Sequence, residues 1–156
     1  MVVTSAYLSG SVVESPVGIL LTEAGDRRNA MTISFFSEVA HHPTTLWISV
    51  AQGRYSGELL DSSGRFTLVV LHAGQRELAW RCGTISGRDA DKFSRLRTHR
   101  GPVDYVYLAD GIAGAACRVR SSRPAGEHIL YIADIVGGEV ETRNSLKRTL
   151  ITRDLL

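Results

Sequence analysis

The fold turns on NAMTISFFSEVAHHPTTLWISVAQGRYSGELL, Asn29–Leu60. Thr32 and Ser34 alternate with Met31, Ile33 and Phe35, the two-residue period of a strand. Beyond the His41-His42-Pro43 turn, Leu46, Ile48 and Val50 alternate with Trp47, Ser49 and Ala51, which reads as another strand. YSGELLDSSG then reads as a short helix, with Ser56 as N-cap and Gly64 as its stop.

The same period governs the flanks. Val17, Ile19 and Leu21 line one face of VGILLTE, and RFTLVVLH is apolar on both faces, as a strand buried on two sides would be. HILYIADIV, His128–Val136, is strongly β. In GIAGAACRVR, Gly114, Ala115 and Ala116 predict a strand with tight curvature or close approach of another backbone. Two more short helices are expected. QRELAWRCG places Leu78, Ala79 and Cys82 on one face, and DADKFSRLRTHRG caps with Asp89 and buries Phe93 and Leu96. Thr98–Asp104 reads as a surface loop. Many strands with few short helices predict a mainly β chain, a small antiparallel barrel with helices covering its ends and edge.

The chain has 156 residues, the size of one domain, so a single domain over 1–156 is expected. Its net charge of +2 gives no broad basic face for nucleic acid. Cys82 and Cys117 form no CxxC pair and no zinc spacing, so reduced thiols in a cytoplasmic protein are expected. MVVTSAYLSG lacks the pattern of a secretory leader, and no apolar run is long enough to span a bilayer. Of the histidines, His41 and His42 are adjacent and would point to opposite strand faces, and the others are scattered, so no metal site is expected.

Two helix starts carry an arginine: Arg54 before Ser56 and Gly57, and Arg88 after Ser86 and Gly87. Free N–H groups, a guanidinium and a hydroxyl together form a metal-free phosphate cradle. Asp89 would repel a phosphate placed directly on the later helix end, so Ser86, Arg88 and Lys92 would act through their side chains. The plain alternative for SGRDADKF is a polar turn whose Lys–Asp surface pair is worth well under about 1 kcal/mol. Thr32 and Ser34 likewise mark either a half-exposed strand or an edge along which a planar heteroaromatic ring lies.

NAMTISFFSEVAHHPTTLWISVAQGRYSGELL, SGRFTLVVL, SGRDADKF and GEHILYIADIVGGEV, taken in order from Val17 to Glu141, resemble the flavin reductase-like, FMN-binding split-barrel family. The resemblance implies a six-stranded antiparallel Greek-key split barrel, a homodimer, and FMN near the subunit interface. It implies that Met31, Thr32, Ile33 and Ser34 border the isoalloxazine and that Gln52, Arg54, Tyr55 and Ser56 hold the ribityl phosphate. Ser86, Arg88 and Lys92 would complete the anion site. His128 matches the G-D/E-H histidine that lies near the nicotinamide in reductase members. HHPTT departs from the acidic residue and two prolines of many relatives, and Trp47 is bulky for its position.

The implied activity is an NAD(P)H-dependent flavin reductase, with FMN (FAD being the alternative) as flavin and a flavin-dependent monooxygenase as a consumer. The competing reading is a flavoredoxin-like electron carrier that takes electrons from a protein partner. A split barrel serving haem, a deazaflavin or no ligand is a third. No Rossmann GxGxxG is present, since GIAGAA lacks its third glycine, so the nicotinamide donor would lie folded over the flavin. Without the resemblance, His128 is simply the first residue of a strand at the barrel rim. Tyr105 and Tyr107 suit either a dimer surface or a pocket lining.

Overall fold

The computed structural model describes residues 14–156, so the opening stretch MVVTSAYLSG lies outside the described residues. In chain order the elements are β1 (Gly18–Ala24), β2 (Arg27–Ile33), β3 (Phe36–His41), β4 (Thr44–Ala51), α1 (Tyr55–Ser63), β5 (Arg65–Val70), α2 (Arg76–Thr84), β6 (Thr98–Arg100), β7 (Val106–Leu108), β8 (Ala113–Ala125) and β9 (His128–Val140). Seven strands form one sheet in the order β2-β1-β5-β8-β9-β4-β3, and β6 and β7 form a separate ribbon. Every pairing is antiparallel.

The alternation in β1 and β5 explains how one sheet supports two cores. Val17, Ile19, Leu21, Val69 and Leu71 pack outward under Ala79 and Cys82 of α2 and under Phe93. Leu20, Phe66 and Leu68 face inward, where they meet Ile33, Leu46, Ile48, Val50, Leu60, Cys117 and Tyr131. Strands from both ends of the sheet share this inner cluster, so the sheet curls into a barrel. Each fully buried Leu or Ile contributes about 1.5–3 kcal/mol. The Ser49 N–H donates to the Phe35 carbonyl (2.9 Å), tying the exit of β2 to β4. Among the described residues β2 pairs on one side only, with β1, which leaves its other edge unpaired.

The small residues of β8 serve both expected purposes. A Cβ on Gly114 would stand 2.7 Å from the Tyr107 ring, and one on Gly138 would stand 2.8 Å from the Gly114 carbonyl. The register slips at Ala116/Cys117, which bends the long hairpin. Tyr107, fully buried, packs with Tyr105 and Ala116.

Several expectations are corrected. The sheet has seven strands rather than six, because Phe36–His41 forms its own edge strand. The helix expected from Asp89 is a single 3-10 turn, Lys92–Arg95, and its N-cap is Asp91, whose carboxylate accepts from the Phe93 N–H. Thr98–Asp104 is no plain loop: Thr98–Arg100 pairs with Val106–Leu108. Ser56 does not cap α1; Arg54 occupies that position. Cys82 and Cys117 are buried free thiols in different cores. Burial pushes the Cys117 pKa up to about 12. Among the described residues no helix is long and apolar enough to cross a membrane.

Candidate functional site

The site begins where β4 ends. Past Ala51 the chain turns through Gln52 and Gly53, the latter at φ 79°. The Gln52 N–H donates to the Glu127 carbonyl (2.9 Å) and its side-chain amide to the Gly126 carbonyl (3.3 Å), so the turn is held by the β8–β9 hairpin tip. Arg54 then takes an extended conformation (φ −73°, ψ 143°) and offers no side-chain cap to α1. The N–H groups of Tyr55 and Ser56 find no acceptor among the described residues. An uncapped helix start with partial positive charge results, with an exposed guanidinium on it. Glu58 in the same turn is taken by Arg88, with which it forms an ion pair.

A cleft of about 210 Å³ opens from this point between β2, β4 and α2. Met31, Thr32, Ile33 and Ser34 form one wall, Ser49, Val50 and Ala51 another, and Arg54, Gly83, Phe35 and His128 complete it. The Thr32 hydroxyl is turned away to the Ala79 carbonyl. What β2 offers the cleft is therefore its open backbone edge and Ser34. A Cβ on Gly83 would lie 3.4 Å from Thr32, so the last turn of α2 sits against this wall.

His128 opens β9 opposite Ala51. Its ring lies 5.5 Å from that of Phe35, tilted by 50°, and Nδ1 is 3.4 Å from a Glu127 carboxylate oxygen. The pair forms an aromatic rim at the cleft mouth.

The remaining residues predicted from sequence lie around the cleft rather than in it. The Ser56 side chain is buried under α1, where its hydroxyl accepts from Asn29 Nδ2 (2.9 Å). Arg88 lies 5.4 Å over the Tyr55 ring and donates to the Gly53 carbonyl (3.3 Å). The Ser86 hydroxyl accepts from the Arg88 N–H (3.2 Å). Lys92 is buried, with Nζ donating to the carbonyls of Cys82 (3.1 Å) and Ile85 (2.8 Å). Burial lowers its pKa. The structure thus brings Met31, Thr32, Ile33, Ser34, Arg54 and His128 together, and sets Gln52, Tyr55, Ser56, Ser86, Arg88 and Lys92 behind them as supports. Tyr105 and Tyr107 line no part of this cleft.

Sequence reasoning missed Asn29, Phe35 and Gly83. Asn29 opens the NAMTIS stretch that carries the family resemblance, which was the available signal. Gly83 sits at the end of QRELAWRCG without a site role of its own, and its place against Thr32 depends on tertiary packing that no local pattern carries.

Residues 10–153 match the family described as "Flavin reductase like domain". The chain is 29% identical over 149 residues to the "Actinorhodin polyketide dimerase" of Streptomyces coelicolor, covering 92% of this chain and 81% of the relative. Its fold is similar to that of an FMN-binding protein from Thermus thermophilus solved with bound 1-cyclohex-2-enone, at a TM-score of 0.82 and 19% identity, covering 92% and 79% of the two chains. It is similar also to an NADH:FAD oxidoreductase from Streptomyces globisporus C-1027, at a TM-score of 0.81 and 17% identity, covering 92% and 84%. With the family matched over nearly its whole length and the split-barrel architecture in place, this chain belongs to the flavin reductase-like domain family.

Proposed function

We propose that the protein is an NAD(P)H-dependent flavin reductase that binds FMN in the cleft between β2, β4 and α2, with its phosphate at the start of α1. The observation that carries this reading is the meeting, in one cleft, of an uncapped helix start bearing Arg54 with the open backbone edge of β2. The donor set fits such a cofactor. N–H groups and a guanidinium without partners among the described residues suit a phosphate dianion. An unpaired strand edge suits the donor and acceptor atoms of a heteroaromatic ring.

A bound flavin would supply the redox chemistry, accepting a hydride and passing electrons on. The chain's residues bind and orient. Arg54 and the Tyr55 and Ser56 N–H groups hold the phosphate. The main chain of Met31–Ser34 holds the ring edge. Phe35 and His128 present an aromatic rim on which the nicotinamide packs, and His128 orients it. The electrons would go on to an acceptor such as a flavin-dependent monooxygenase, in a cytoplasm where Cys82 and Cys117 stay reduced.

The working unit is a homodimer. Support comes from an apolar groove of about 800 Å³ lined by Leu46, Leu68, Val70, Ala115, Ile135 and Val140, the kind of surface on which proteins associate.

The test is to mix purified protein with FMN and either NADH or NADPH and follow nicotinamide absorbance. Sustained turnover with free flavin is expected. A yellow protein inert to both donors overturns the reductase reading and supports the electron carrier.

A further inference from the structure

We infer that Lys92 is a positioning residue for the flavin cleft: it clamps the end of α2 and so sets the cleft wall, without touching the cofactor's phosphate. The inference rests on the flavin-binding reading above.

The C-terminus of α2 needs such a clamp. Its C-cap residue, Ile85, is extended (φ −106°, ψ 129°), so the helix lacks the left-handed closure that would satisfy its last carbonyls. The ammonium of Lys92 fills that role for Cys82 and Ile85, at the negative end of the helix. Two of its three N–H groups are thereby used, and the side chain is buried.

The clamp is anchored on the other side. Asp91 accepts from Arg28 of β2 (2.8 Å) and from the Phe93 N–H (3.0 Å), and the Arg28 guanidinium lies 4.9 Å over the Phe93 ring in the outer core. Lys92 thus spans from a turn pinned to β2 to the end of α2. Gly83 and Arg88 lie in the stretch it governs, one against Thr32 in the cleft wall, the other over Tyr55 and the Gly53 carbonyl at the start of α1. A shift of this stretch moves the β2 side of the cleft and the start of α1 together. The polar run SGRDADKF is a clasp joining β2, α1 and α2.

The experiment compares FMN with riboflavin, which lacks the phosphate, in titrations well below the melting temperature. Arg54→Ala is expected to weaken FMN and leave riboflavin unchanged. Lys92→Met is expected to weaken both by the same factor, about tenfold for lost hydrogen bonds in the wall. It should also alter the visible spectrum of bound flavin at saturation and, without ligand, speed amide exchange at 83–88. Loss confined to FMN makes Lys92 a phosphate ligand and overturns the inference. A lower melting temperature with unchanged affinities, bound spectrum and exchange makes it merely stabilising and also overturns it. Should Lys92→Met not fold, Asp91→Asn loosens the same turn from the surface. A smaller common loss for both flavins is then expected, and no loss for either is the overturning result. Wild-type protein that binds neither flavin while Lys92→Met still frees 83–88 fells the flavin reading and leaves the clamp.

Discussion

At the scale of single residues, the site depends on contacts with no slack. Gly87 is the clearest case: a Cβ there would stand 2.1 Å from Asn29 Oδ1 and 2.9 Å from the Tyr55 ring. Asn29 is buried and its amide is committed to Ser56, so it has nowhere to retreat. Gly87→Ala should therefore cost about 1–3 kcal/mol of stability, the range for overpacking a filled site; a chemical denaturation midpoint equal to wild type would show that the loop simply moves aside. His128 is a different kind of residue. Its ring is held by Phe35 at the rim and by no buried partner. On the proposed role, His128→Ala should raise the KM for the nicotinamide roughly 2–10-fold, the worth of one aromatic contact, with FMN affinity kept. Equal losses in both constants would make the histidine a structural part of the strand.

At the scale of elements, four of the ion pairs bear on stability in acid. Arg28–Asp91 joins β2 to the 3-10 turn, Arg120–Asp134 joins β8 to β9, and Arg148–Asp154 and Arg143–Glu141 close the C-terminal segment. In each, the guanidinium hydrogen bond holds the carboxylate below its usual range. The sign follows: the unfolded chain takes up these protons at a higher pH than the folded one, so the stabilisation is complete above the usual carboxylate range and is lost as pH falls through the depressed values. The melting temperature should be level from neutrality to about pH 5 and fall steadily below about pH 4. Asp91→Asn should flatten that acid limb, and an unaltered limb would remove the pair from the account. Elements were also where the sequence was most and least legible. β1, β4 and β5 were readable because each buries alternate residues, and period two survives without knowledge of the partner strand. Phe93 and Leu96 misled because their spacing suits a 3-10 turn as well as an α-helix. Thr98–Arg100 was hidden because its strand character comes from pairing with Val106–Leu108, across a turn. Arg54 stands out in the sequence from its place before a helix. Ser56 was misread as the cap of that helix because Asn29, which claims its hydroxyl, lies 27 positions away.

At the scale of the molecule, the sheet curls far enough for β2 and β4 to share one inner core, yet it leaves two apolar faces unequal in cover. α2 and the turn at Phe93 cover the outer core. Among the described residues nothing covers the groove along β3, β4, β8 and β9 in this way: Val140 is 62% exposed, and Val70, Ala115 and Ile135 line the space above the nearly buried Leu46 and Leu68. The rim of the groove carries Glu38 and Glu139, so the apolar floor has the polar border common to association surfaces. If the proposed homodimer forms here, its stability comes from burying this floor, and a charge placed on the floor should be far more damaging than one on the rim. Ala115→Arg is the sharpest probe, because Ala115 lies on β8 within the groove and a guanidinium there has no carboxylate at hand except at the rim. Light scattering should give wild type twice the 17.0 kDa mass of one chain and the variant close to a single chain. Circular dichroism should show the barrel retained, since Ala115 is only partly buried, at the edge of the inner core, and the β5–β8 backbone ladder stays intact. A variant that stays dimeric would place the association on another surface, and a wild type that runs as a single chain at micromolar concentration would leave the flavin cleft to function within one barrel.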